Sequence, residues 1–182
     1  MNLPNRLSIV RVMLIPVCVG LMYVGTPVFQ WLALAVFLIA SFTDFLDGHI
    51  ARSRNLVTDF GKFIDPVADK LLVLSVLIML SAQGKIPAWM TIIVLTRELS
   101  VDGLRMVASL GGKVIAAGKL GKFKTVTQMV TISFFLVDNW PFYGLFPLST
   151  ILSYAMVAIT LYSGVDYFFK NRSVLSMQEA RK

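Results

Sequence analysis

Asp44 and Asp47 stand three residues apart and Asp65 and Asp69 four apart, so helices through them each present two carboxylates on one face. The first pair closes one apolar stretch and the second opens the next, across a short connection. Stretches joined this way pack as antiparallel neighbours, which brings the four carboxylates to a similar depth. Two carboxylates about 5 Å apart repel by roughly 3 kcal/mol at an effective dielectric of about 20. Such a group either protonates or is neutralised by bound cations. Oxygen-only ligands favour magnesium, manganese or calcium over zinc, and divalent metal is the simplest resolution. Cys18 and His49 are each the sole residue of their type, which leaves no thiolate cluster or multi-histidine zinc site.

The residues between the acidic pairs suit phosphate. Gly48 follows Asp47, and Gly61 begins the return toward Asp65; glycine lets a bulky ligand come close to the backbone. Arg52 lies two turns beyond Asp44 and can grip a phosphate with two parallel hydrogen bonds. A plainer reading stands beside this one. It makes Gly48 and Gly61 helix-packing residues and Arg52 a cytoplasmic anchor.

The elements that must position these groups are apolar helices. Hydrophobic residues make up 57% of the 182 and charged residues 15%, against about 45–50% and 25% in soluble domains. A soluble fold of this size lacks the interior to hide so much apolar surface, so the bilayer is the expected solvent. Six stretches are long and apolar enough to be read as spans: residues 7–24, 28–50, 60–81, 87–110, 123–137 and 148–169. The chain is therefore expected to be all-α, a single membrane domain over residues 1–182. Arg6 and Arg11 precede apolar residues as in a secretory signal, but Arg11 lies within the apolar stretch and Gly25-Thr26-Pro27 is no cleavage site, so that span is expected to be retained.

Lysine and arginine set the orientation. Arg52, Arg54 and Lys62 fall between spans two and three, and Lys113, Lys119, Lys122 and Lys124 between four and five. Lys170, Arg172, Arg181 and Lys182 follow span six, whereas Lys85 alone falls on the other side. Both termini are expected in the cytoplasm. The net charge of +7, so distributed, suits anionic lipid better than nucleic acid.

Written out, the acidic window is Asp44-x-x-Asp47-Gly48-x-x-Ala51-Arg52, eight residues, then Gly61-x-x-x-Asp65-x-x-x-Asp69. It resembles, without a departure, the signature of the CDP-alcohol phosphatidyltransferase family. Asn2-Leu3-Pro4-Asn5, Thr43 to Gly48, Asp65 to Lys70, Arg97-Glu98 and Gly121 to Thr125 resemble family members whose acceptor is a glycerol phosphate. The resemblance implies six spans, a cytoplasm-facing polar cavity, a homodimer and a place in the bacterial inner membrane. It implies that Asp44, Asp47, Asp65 and Asp69 hold two divalent cations, Mg2+ or Mn2+, and that Asp69 also acts as base. Gly48, Ala51, Arg52 and Gly61 would meet the nucleotide and its diphosphate. The implied reaction joins CDP-diacylglycerol and sn-glycerol 3-phosphate, releasing CMP; inositol phosphate, serine or phosphatidylglycerol are the alternative acceptors.

An anionic acceptor would account for a basic group formed by Arg97, Arg105, Lys122 and Lys124, with Lys119 near them. The lysines also serve as topological anchors. Arg97 differs, because a charge within an apolar run is costly and usually functional. It either pairs with Glu98 or Asp102 or faces the cavity, and the cavity is the expectation for Arg97 and Arg105. A small ion-coupled transporter is the rival from another class. Transporters place coupling sites near the midplane in repeated halves, whereas these acids gather at one end of one helix pair.

Overall fold

The computed structural model describes residues 3–53, 59–111, 115, 118–138 and 147–172, with the side chains of 3–7, 44–53, 59–66, 69, 110 and 119 outside the description. Six helices account for nearly all of it: α1 (Leu3–Val24), α2 (Pro27–Ser53), α3 (Asp59–Ala82), α4 (Ala88–Leu110), α5 (Lys119–Leu136) and α6 (Leu148–Lys170). No strand occurs among the described residues. Proline and glycine punctuate the chain. Pro27 is the first residue of α2, and Pro87 and Pro147 stand immediately before α4 and α6, where a missing N–H costs nothing. Gly25 (φ +76°) and Gly84 (φ +70°) turn the chain between α1 and α2 and between α3 and α4, in a left-handed conformation that side chains resist.

Packing follows two groups of three. α1 lies against α2 and α3, while α6 lies against α4 and α5. Contacts of α3 with α4 and of α5 with α2 and α3 join the groups. The shared core includes Phe37 of α2, Leu72 and Leu77 of α3, Met90 of α4, Ile132 of α5 and Met156 of α6, all at 1% exposure or less. Polar side chains are buried with them: Ser8 and Arg11 of α1, Gln128 and Thr131 of α5, and Ser153 and Thr160 of α6.

The outer surface is the inverse of a water-soluble one. Tyr23, Val28, Phe42, Ile92, Met106, Phe123, Tyr162 and Phe169 are each more than half exposed, so apolar side chains cover the outside of most of the bundle. Soluble monomers rarely show contiguous apolar surface beyond a few hundred Å2.

The six expected spans correspond to the six helices, with differences at the ends. α5 begins at Lys119, four residues before the expected start, because Gly118 is extended (ψ 162°) and the helix starts directly after it. Among the described residues, Leu148–Lys170 is the one helix apolar and long enough to cross a bilayer by length and composition. Ser8–Val24, Pro27–Thr43 and Lys70–Ala82 are shorter apolar stretches. For α4 the reason is its charges. Arg97, Glu98, Asp102 and Arg105 interrupt its apolar run, and they face inward rather than outward.

Candidate functional site

Four residues apart along a helix means one face, and α4 uses that spacing twice. Arg97, Val101 and Arg105 form one row and Glu98 and Asp102 the next. Both rows border a cavity of about 220 Å3. α3 adds Lys70, α5 adds Lys122, Lys124 and Gln128, and α6 adds Tyr167. A space this small suits a compact ligand; drug-sized molecules occupy roughly 300–1,000 Å3.

The charges are arranged in pairs. Glu98 Oε1 accepts from Lys124 Nζ and from Arg97 Nη1, the latter at 3.3 Å. Arg97 Nη2 donates to Ser163 Oγ of α6 at 2.7 Å. That approach depends on Gly164, where an added Cβ would stand 3.1 Å from Arg97 Cγ. Lys70 pairs with Asp102 across the α3–α4 seam. At the outer part of the row, Arg105 Nε donates to the Tyr167 hydroxyl at 2.9 Å, and the guanidinium lies 5.4 Å from the centre of the Tyr167 ring. With Nε engaged, neither terminal nitrogen of Arg105 is bonded among the described residues, and a planar pair of N–H donors matches phosphate. Lys122 is exposed and forms no ion pair among the described residues.

The structure therefore brings together Arg97, Arg105, Lys122 and Lys124, the four residues the sequence nominates for an anionic acceptor. They are not equivalent. Arg97 and Lys124 share Glu98 as counter-ion, whereas Arg105 and Lys122 form no ion pair among the described residues. Arg97 both pairs with Glu98 and borders the cavity, so the two sequence alternatives hold at once. Lys70 pairs with Asp102.

Asp44, Asp47, Gly48, Ala51 and Arg52 lie in the last turns of α2, and Gly61, Asp65 and Asp69 in the first turns of α3. Their side chains lie outside the described residues. The donor chemistry is a test that does not need them: four carboxylates and no soft ligand on two consecutive helices packed together suit hard divalent cations. Among the described side chains, no three His, Cys, Asp or Glu residues gather elsewhere as a rival metal site.

Sequence reasoning missed Gln128, Tyr167 and the bridging role of Glu98. Glu98 carried the same signal as Arg97, a charge inside an apolar run. Gln128 follows Lys124 by one turn in a helix of threonines and aliphatics, which marks it as facing the same way. Tyr167 carried no signal that separates it from an interfacial aromatic.

Comparison with known proteins bears on this arrangement. Residues 1–162 match the family model described as CDP-alcohol phosphatidyltransferase. A Bacillus subtilis protein named CDP-diacylglycerol–glycerol-3-phosphate 3-phosphatidyltransferase is 43% identical, covering 96% of this chain and 97% of the relative. A Rickettsia typhi protein of the same name is also 43% identical, over 76% of this chain and 78% of its own length. A Mycobacterium tuberculosis protein named probable phosphatidylglycerophosphate synthase is 39% identical, over 91% and 79% respectively.

Proposed function

The chain belongs to the CDP-alcohol phosphatidyltransferase family, and we infer that it is an enzyme transferring a phosphatidyl group from CDP-diacylglycerol to sn-glycerol 3-phosphate, giving phosphatidylglycerophosphate and CMP. The observation that carries the choice of acceptor is the convergence of Arg97, Arg105, Lys122 and Lys124 on one small cavity bordered by α3. Serine, which carries no phosphate, has no use for such a basic group, and among phosphate-bearing acceptors the names of the relatives favour glycerol 3-phosphate.

In this reading the acceptor phosphate sits against the terminal nitrogens of Arg105 and the ammonium of Lys122. Glu98 holds Arg97 and Lys124 in place, so their positive field reaches the phosphate without their side chains wandering. Asp69 takes the proton from the acceptor's primary hydroxyl. That oxygen then bonds to the phosphatidyl phosphorus, while the bond from this phosphorus to the CMP oxygen breaks. Gly48, Ala51, Arg52 and Gly61 hold the nucleotide and its diphosphate. Asp44, Asp47, Asp65 and Asp69 would hold two divalent cations, Mg2+ or Mn2+, which supply charge stabilisation at the attacking and leaving oxygens. Proton transfer to a positioned base contributes about 10^2–10^4-fold.

The apolar exterior supports a bundle that sits in the bilayer, with all six helices crossing it and both termini and the cavity on the cytoplasmic side. Charges inside α4 do not oppose this, because they pair or border the cavity. A homodimer in the bacterial inner membrane completes the proposal.

Purified protein in detergent, given CDP-diacylglycerol, Mg2+ and each acceptor in turn, tests the assignment. Release of CMP with sn-glycerol 3-phosphate is expected. Release with serine or inositol phosphate instead, and none with glycerol 3-phosphate, overturns it.

A further inference from the structure

Two buried polar atoms at the cavity meet no hydrogen-bond partner among the described residues: Arg97 Nε, whose two terminal nitrogens are both engaged, and the side-chain amide nitrogen of Gln128. Gln128 is 1% exposed, borders the cavity, and its amide Nε2 meets no hydrogen-bond acceptor among the described residues. Its neighbours on α5 behave otherwise. Thr125 Oγ1 donates to the Gly121 carbonyl at 3.1 Å, and Thr131 Oγ1 to the Thr127 carbonyl at 2.7 Å. Lys124, one turn before Gln128, is matched by Glu98. A buried donor left unpaired is destabilising, and a leucine at this position would avoid that cost while filling a similar space. A group held in this way at a ligand cavity is best explained by a bond made only when the ligand is present.

We infer that Gln128 is an acceptor-binding residue, its amide Nε2 donating to an oxygen of the phosphorylated alcohol held in the cavity. The inference rests on the acceptor assignment above and adds a residue to it. A neutral amide supplies a donor without adding to the cations of Arg105 and Lys122, so it orients the ligand more than it attracts it. Its depth on α5, one turn further in than Lys124, places that oxygen toward the middle of the bundle.

The test separates ligand binding from packing, because the two roles move stability in opposite directions. Gln128→Leu, and Gln128→Met as the closer match in shape, are compared with the unaltered protein for CMP release and for thermal unfolding in detergent. Expected is a rise of about tenfold in KM for glycerol 3-phosphate. KM for CDP-diacylglycerol and kcat stay within about twofold, and the unfolding temperature is unchanged or higher. A lowered unfolding temperature in both variants, or an unchanged KM for glycerol 3-phosphate, overturns the inference. Failure of the unaltered protein to use glycerol 3-phosphate at all would instead remove the acceptor assignment, and the inference with it.

Discussion

The carboxylate of Glu98 and the ammonium of Lys124 meet inside the bundle, with side chains only 8% and 5% exposed. Breaking such a pair strands one charge, which typically costs about 3–5 kcal/mol, whereas replacing both partners by apolar groups is often neutral. Glu98→Gln is therefore expected to lower the unfolding temperature sharply and to raise KM for glycerol 3-phosphate. The double variant Glu98→Leu, Lys124→Leu should recover part of the stability but not the affinity, because Arg97 still lacks the carboxylate it shares with Lys124. Thermal unfolding alongside CMP release reads both. Equal stability of the single variant and the unaltered protein would show that the pair does not hold the site.

Tyr167 and Arg105 share a hydrogen bond and a ring contact, and these can be separated. Tyr167→Phe removes the hydroxyl at 2.9 Å from Nε but keeps the ring 5.4 Å from the guanidinium carbon. The guanidinium then loses its fixed rotation. An increase of about three- to tenfold in KM for glycerol 3-phosphate is expected, the size of one ordinary net hydrogen bond, with kcat unchanged. A change confined to kcat would place Tyr167 in a different role.

Gly164 gives room for the stem of Arg97. In helix interiors alanine is favoured over glycine by about 1 kcal/mol, so Gly164→Ala should fold at least nearly as well despite a contact at 3.1 Å from Arg97 Cγ. The cost appears in function, because Arg97 must shift by a few tenths of an ångström away from Ser163. Gly164→Val should be worse on both measures. An unchanged KM for glycerol 3-phosphate in the valine variant would show that Arg97 can move freely.

Much of this was legible in the sequence, and the reasons differ by residue. The six helices follow from apolar runs punctuated by Pro27, Gly84, Pro87 and Pro147, where backbone chemistry is local. Arg97 and Arg105 stood out because charge within an apolar run demands a partner or a ligand. Their division of labour was not legible, since whether Glu98 serves Arg97, Lys124 or both depends on how α4 and α5 rotate against each other. Tyr167 was hidden for a similar reason. An aromatic near a helix end reads as an interfacial anchor until α6 is seen packed against α4. α4 shows the same limit from the other side, because Arg97, Glu98, Asp102 and Arg105 interrupt its apolar run. Sums over a window do not distinguish charges facing a cavity from charges facing lipid.

Lys85 and Asp138 form an ion pair at 2.7 Å at the end of the bundle away from the cavity. Asp138 is 52% exposed there, with φ at +47°. Exposed pairs contribute at most about 1 kcal/mol, so Asp138→Cys should fold and keep its CMP release. With both termini in the cytoplasm, a membrane-impermeant maleimide applied to intact cells should label this cysteine. Native Cys18 is buried and should stay silent. Labelling only after the membrane is opened would reverse the proposed orientation.

Asp69 tests the chemistry most directly, because two roles are assigned to one carboxylate. Asp69→Asn keeps the shape and removes both the proton acceptor and a charged metal ligand. CMP release is expected to fall at least about 10^3-fold, near the middle of the range for a lost general base. The unfolding temperature should not fall, since one like charge has been taken from a crowded group of four. Chelation of divalent ions should abolish turnover in the unaltered protein, and added Mg2+ or Mn2+ should restore it. Restoration in the asparagine variant by excess metal alone would make Asp69 a ligand and move the base elsewhere. No restoration at any metal concentration, with Asp44→Asn partly restored under the same conditions, would separate the base from the other carboxylates.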